Sequence, residues 1–80
     1  MCQQLVEYGL LVFWDAERYF GKAMSLQGEL VFLHGRQFCL KNELTWISVV
    51  APKEIEQGTR VVFVQADGPS GPRATRWALA

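Results

Sequence analysis

Two short segments carry aromatic and basic side chains at alternate positions: Arg18-Tyr19-Phe20-Gly21-Lys22-Ala23 and Leu30-Val31-Phe32-Leu33-His34. Successive side chains of an extended strand point to opposite faces. Phe20 and Lys22 therefore share one face of the first segment, and Phe32 and His34 share one face of the second. Val31 and Leu33 fall on the opposite face and have the composition of a core. A turn at Gln27-Gly28-Glu29 makes the two segments neighbours. Their common outer face combines rings that can stack on bases with cations that can meet phosphates, which is how single-stranded nucleic acid is held. Burying that face would take Lys22 and His34 inside, where a cation needs a partner.

Other chemistries find no footing. The chain has no nucleophile elbow and no phosphate-binding loop, since Gly68-Pro69-Ser70-Gly71-Pro72 has too few glycines and no following lysine. Its acidic residues are scattered over turns and strand ends. No catalytic residue, metal ligand or cofactor is expected, and the chain does not read as an enzyme. Cys2 and Cys39 are far apart, and with a single histidine they supply no zinc site. They read as free thiols of a reducing compartment. No signal-peptide pattern and no membrane-spanning run is present, so the expected location is the cytoplasm. With 8 basic and 8 acidic residues the formal net charge is zero. Attraction to a polyanion must therefore come from local placement of cations.

The elements that position these residues make one domain over 1–80, all-β by pattern. Residues 5–14 form a long first strand, in which Gly9 marks a bend, a bulge or a close backbone approach. Tyr19 to Ser25 is the second strand and Leu30 to His34 the third. Residues 35–42 have no clean period and room for one helical turn. Residues 44–50 are an apolar run that suits a short strand or a buried loop. Arg60 to Ala66 is the fourth strand, residues 66–72 are a turn cluster, and Arg73 to Leu79 is the fifth. A meander followed by a long crossover points to a five-stranded antiparallel OB-fold barrel with an enlarged segment between strands three and four.

The sequence resembles the cold-shock domain family along most of residues 9–79. Gly9-Leu10-Leu11-Val12-Phe13-Trp14-Asp15 loosely follows that family's first-strand pattern of glycine, two residues, lysine, tryptophan, phenylalanine and asparagine. Arg18-Tyr19-Phe20-Gly21-Lys22 lies over its first motif, lysine-glycine-phenylalanine-glycine-phenylalanine. Val31-Phe32-Leu33-His34-Gly35 lies over its second, valine-phenylalanine-valine-histidine-phenylalanine. Glu56-Gln57-Gly58 with Val61 and Phe63 follows the fourth-strand pattern, and Gly71-Pro72-Arg73-Ala74 the glycine-proline-glutamine-alanine signature. An RNA-recognition motif would carry its aromatic segments in the opposite order and needs two amphipathic helices that this sequence lacks.

The resemblance implies an OB-fold that binds single-stranded RNA or DNA, with little base specificity, on the face of strands two and three. The stacking positions carried over are Phe13, Phe20, Phe32 and His34. Arg18 and Arg73 are basic candidates, and Lys22 adds a cation. Strict alternation pairs Phe13 with Leu11, so an outward Phe13 requires a bulge, and Trp14 is the other candidate for the exposed ring. Two ring positions are lost, because Lys22 and Gly35 stand where the family has aromatics. At ~1–3 kcal/mol per stacked base, that loss weakens binding by on the order of 2–6 kcal/mol and makes the remainder more salt-dependent. Phe38 and Trp46 are the candidates for the family's loop aromatic.

A second class of function is also written in the pattern. Val62 and Val64 fall outward if Val61 and Phe63 face the core, Val12 is apolar where the family has lysine, and Trp46 lies in the enlarged segment. Exposed together, these residues would form a patch suited to another protein or to self-association.

Overall fold

The computed structural model describes residues 6–42 and 45–80. Cys2, Leu5 of the expected first strand and Leu44 of the 44–50 run lie outside them. The described residues form seven strands: β1 (Glu7–Asp15), β2 (Phe20–Ser25), β3 (Leu30–His34), β4 (Cys39–Lys41), β5 (Trp46–Ser48), β6 (Arg60–Gly68) and β7 (Gly71–Leu79). Five of them close into a barrel in the order β1-β2-β3-β7-β6, with β6 returning to β1. This is the OB-fold order, in which the fourth and fifth barrel strands are β6 and β7. Four seams are antiparallel and the β3–β7 seam is parallel. Parity requires it: strand direction cannot alternate all the way round a closed ring of five.

The long β1 serves both neighbours. Glu7 to Leu10 pair with β6, and Gly9 to Asp15 pair with β2. Gly9 is a close approach, because a Cβ there would run into the Met24 backbone and the Phe63 ring. The inward side chains fill the barrel with Leu11, Ala23, Val31, Leu33, Val61, Phe63, Ala74 and Trp77, and Phe38 and Ala51 join them. Each large apolar side chain buried in this way contributes ~1.5–3 kcal/mol. The Trp77 ring is fully buried and its indole N–H donates to the His34 carbonyl at 2.8 Å, so the one polar atom of that ring is satisfied.

The expected turn cluster at 66–72 shrinks to Pro69-Ser70. Gly68 and Gly71 pair with each other, and Gly71 takes φ 111°, a backbone shape that a side chain would resist. The crossover holds a 3-10 turn at Gly35–Gln37 and then the β4–β5 hairpin, a separate two-stranded sheet that packs against β7. Residues 46–48 of the apolar run are therefore strand, with Ile47 exposed.

The hairpin goes with a correction. Val62 and Val64 point out of the barrel, yet they are only 4% and 7% exposed. With Cys39 and Ala78 they are buried outside the main core, on the side of β6 and β7 where the hairpin packs against β7. They offer no surface to a partner. Val12 and Trp46 are half-buried rather than exposed. Cys39 is a free, buried thiol. Among the described residues no helix is long and apolar enough to cross a membrane.

Candidate nucleic-acid interface

The outer face of β1, β2, β3 and β7 is organised by register. Phe13 pairs with Lys22, Lys22 with Phe32, and Phe32 with Arg73. A single transverse row thus alternates ring, cation, ring, cation. Two residues further along each strand, on the same face, Phe20 pairs with His34. The buried partners in these strands are Gly21, Ala23, Val31 and Leu33, so the outward direction of Phe20, Lys22, Phe32 and His34 follows from alternation.

Phe13 joins the row through a bulge. The register runs Leu11 to Ala23 and then Phe13 to Lys22, leaving Val12 unpaired. The extra residue reverses the alternation, so Leu11 stays in the core while Phe13 is 40% exposed. Trp14 then turns inward. Its ring lies 5.4 Å from Trp77, and its indole N–H donates to the Pro52 carbonyl at 3.1 Å. Trp14 is therefore a half-buried anchor of the crossover and not the exposed ring. Gly21 makes room for it, since a Cβ there would collide with the Phe13 carbonyl and the Trp14 ring.

The rings form one continuous chain. Phe13 meets Phe20 edge-on at 5.8 Å, Phe20 stacks on Phe32 at 5.5 Å with 24° between planes, and Phe32 leans on His34 at 6.1 Å. From His34 the contacts continue inward through Tyr19, Trp14 and Trp77 to Phe38. Phe38 is thereby buried, which removes it as a loop aromatic. Such pairs hold a ring in place at ~0.5–1.5 kcal/mol each beyond area burial.

Tyr19 was not among the expected site residues, and it fixes the end of the platform. It has φ 61°, in the left-handed region, and its ring lies over Gly35, where a Cβ would strike it. Its hydroxyl accepts the Ala51 amide at 2.9 Å. The space that a side chain at position 35 would take is filled by the Tyr19 ring. A tyrosine at 19 opposite a glycine at 35 was the only signal, and it reads as a pair only once β2 and β3 are aligned.

His34 Nδ1 accepts the Arg36 amide at 3.0 Å. A neutral imidazole whose Nδ1 accepts carries its proton on Nε2, so the ring offers a donor as well as a face. Arg36 itself is exposed beside it.

Two clefts flank the Phe32–Arg73 pair. One of about 570 Å³ lies between Lys22, Phe32, Arg73 and the tip of the β6–β7 hairpin. The other, of about 260 Å³, is lined by Phe32, His34, Arg36, Gln37, Arg73 and Ala74. Lys22, Arg36 and Arg73 contribute cations and no lining residue is acidic. A neutral chain thereby presents a locally positive face. Arg18 is set apart from it: the side chain is mostly exposed on the β1–β2 turn, 3.9 Å from the Asp15 carboxylate. Asp15 Oδ1 also accepts the Glu17 and Arg18 amides, which folds that turn.

Trp46 stands away from this face, on the hairpin, with the Lys41 ammonium 5.4 Å and the Arg76 guanidinium 5.7 Å from its ring centroid. Among the described residues no group of three or more His, Cys, Asp or Glu side chains is placed to hold a metal ion. No family model matches the chain and no curated protein matches it.

Proposed function

We propose that this chain is a divergent cold-shock-type OB module that binds single-stranded RNA or DNA without strong base preference. The observation that carries this reading is the row Phe13, Lys22, Phe32, Arg73, set beside Phe20 and His34. Rings at alternate places accept bases of any kind, because every base has a π-face, and the intervening cations meet phosphates. The two clefts lined by cations and free of carboxylates support the same reading. The module takes no cofactor, performs no catalysis and works in the cytoplasm.

The test is a fluorescence titration with short oligo-dT and oligo-U at two ionic strengths. Binding to both, weakening as salt rises, is the expected result. Failure to bind either, or tight binding indifferent to salt, would refute the proposal.

A second reading, docking on another protein, is favoured by the β4–β5 hairpin. Leu40 and Ile47 are register partners there and both are exposed.

A further inference from the structure

The β4–β5 hairpin turns its two faces to different surroundings. Leu40 and Ile47 stand out to solvent. Cys39, Lys41 and Trp46 alternate with them on the other face, where Cys39 is buried and Trp46 meets Arg76 of β7. The Lys41 ammonium and the Arg76 guanidinium thus gather on one indole ring, 5.4 and 5.7 Å from its centroid. All three side chains are half-buried and so still reach solvent. Among the described residues neither cation has a carboxylate partner, the one ion pair being Arg18 with Asp15. The Lys41 ammonium donates only to the neighbouring Asn42 carbonyl, at 3.2 Å. Two like charges held on one ring repel each other, and an anion between them relieves that repulsion. Arg76 is also continuous with the aromatic platform. Val64 pairs with Arg76 and Gln65 with Ala74, which leaves Thr75 as an extra residue on β7. Ala74 and Trp77 therefore both face the core, and Arg73 and Arg76 share the outer face. They stand three residues apart, ~10 Å along the strand.

We propose that Lys41 and Arg76, gathered on Trp46, form a second phosphate-binding point for a single strand that has crossed the platform. The inference rests on the nucleic-acid reading and gives the bound strand a direction: past Arg73, along β7 and onto the hairpin. Arg73 ends the row that begins at Phe13, and it lines the cleft shared with His34 and Arg36. Cations therefore continue from the platform to the hairpin along the outer face of β7. Trp46 is a positioning residue here, its ring engaged by the two cations and not by a base. A contact made by point charges adds affinity through released counterions, so its signature is a steeper salt dependence. It also makes the site longer than the platform alone.

The test is titration of the whole chain with oligo-dT of about four and about ten nucleotides, within the site sizes of OB-folds, over a salt series. The natural chain binds the longer oligonucleotide more tightly, with a log–log salt slope steeper by about 1.4, two contacts at about 0.7 each. Lys41→Gln and Arg76→Gln each remove about 0.7 of that slope and about fivefold in affinity for the longer oligonucleotide at about 0.1 M salt. Both variants bind the shorter one as the natural chain does. In the natural chain the Trp46 indole N–H resonance moves with the longer oligonucleotide and stays in place with the shorter. A Trp46 resonance unmoved by the longer oligonucleotide overturns the inference without recourse to any variant. So do variants that bind the longer one as the natural chain does, or that lose affinity for both lengths alike, and in each case the platform reading stands. Binding of neither length overturns the platform reading itself, and this inference with it.

Discussion

Phe32 and Arg73 are register partners across the parallel seam between β3 and β7, so an aromatic and a basic residue are neighbours on the outer face. They are 41 residues apart in the chain, and only closure of the barrel makes them neighbours. Lys22 flanks Phe32 from the other side. Replacing Arg73 or Lys22 by Gln should weaken oligonucleotide binding at low salt. Each change should also flatten the log–log salt dependence by about 0.7, the contribution of one phosphate contact to a single strand. Titrations over a salt series measure both quantities.

Truncating the rings should act differently. Phe20→Ala and Phe32→Ala should each cost ~1–3 kcal/mol of binding, roughly 5- to 150-fold, at unchanged salt slope. Because the two rings stack on each other at 5.5 Å, the double variant should depart from additivity. A double-mutant cycle on oligo-dT affinity checks this. Additive losses would mean that the rings serve separate bases independently.

Tyr19 ties the turn before β2 to the crossover. Tyr19→Phe leaves the buried Ala51 amide without its acceptor and should destabilise the fold by about 1–3 kcal/mol. Gly35→Ala forces a methyl group against the Tyr19 ring and should destabilise by about 1–3 kcal/mol through overpacking. Urea unfolding midpoints measure both changes.

Among the described residues, Cys39 is the titratable group with a clear displacement. Burial pushes its thiol above the ordinary 9.0, and the nearby Arg76 guanidinium works against that. The folded state therefore holds this proton more tightly than the unfolded state does. The contribution is fully present below pH 9.0 and is lost as pH rises through the higher folded value. Thermal unfolding should accordingly show stability falling above pH 9 in the natural chain and falling less in Cys39→Ala. Alkylation of Cys39 in the folded state should be slow at neutral pH, where the reactive thiolate is scarce.

The sequence carried the outer face of β2 and β3 well, because Phe20, Lys22, Phe32 and His34 alternate with Val31, Leu33, Gly21 and Ala23 at a strict period of two. Leu30–His34 even has the bounds that its pattern implies. The same period also places Met24 beside Lys22 and Leu30 beside Phe32 on that face. Val62 and Val64 were misleading for a physical reason. Alternation tells which side of a strand a residue is on, but not that further chain packs on that side of the sheet. Trp14 likewise depends on Pro52, 38 residues later, for its hydrogen bond. The β4–β5 hairpin has three residues in each strand, too few for any period to show.

The most direct test of nucleic-acid binding is an amide NMR titration of the chain with oligo-dT and with oligo-U. Shifts concentrated at Phe13, Phe20, Lys22, Phe32, His34 and Arg73 are the predicted result. Absence of shifts with both oligonucleotides, or shifts confined to Leu40, Trp46 and Ile47 of the hairpin, would contradict it.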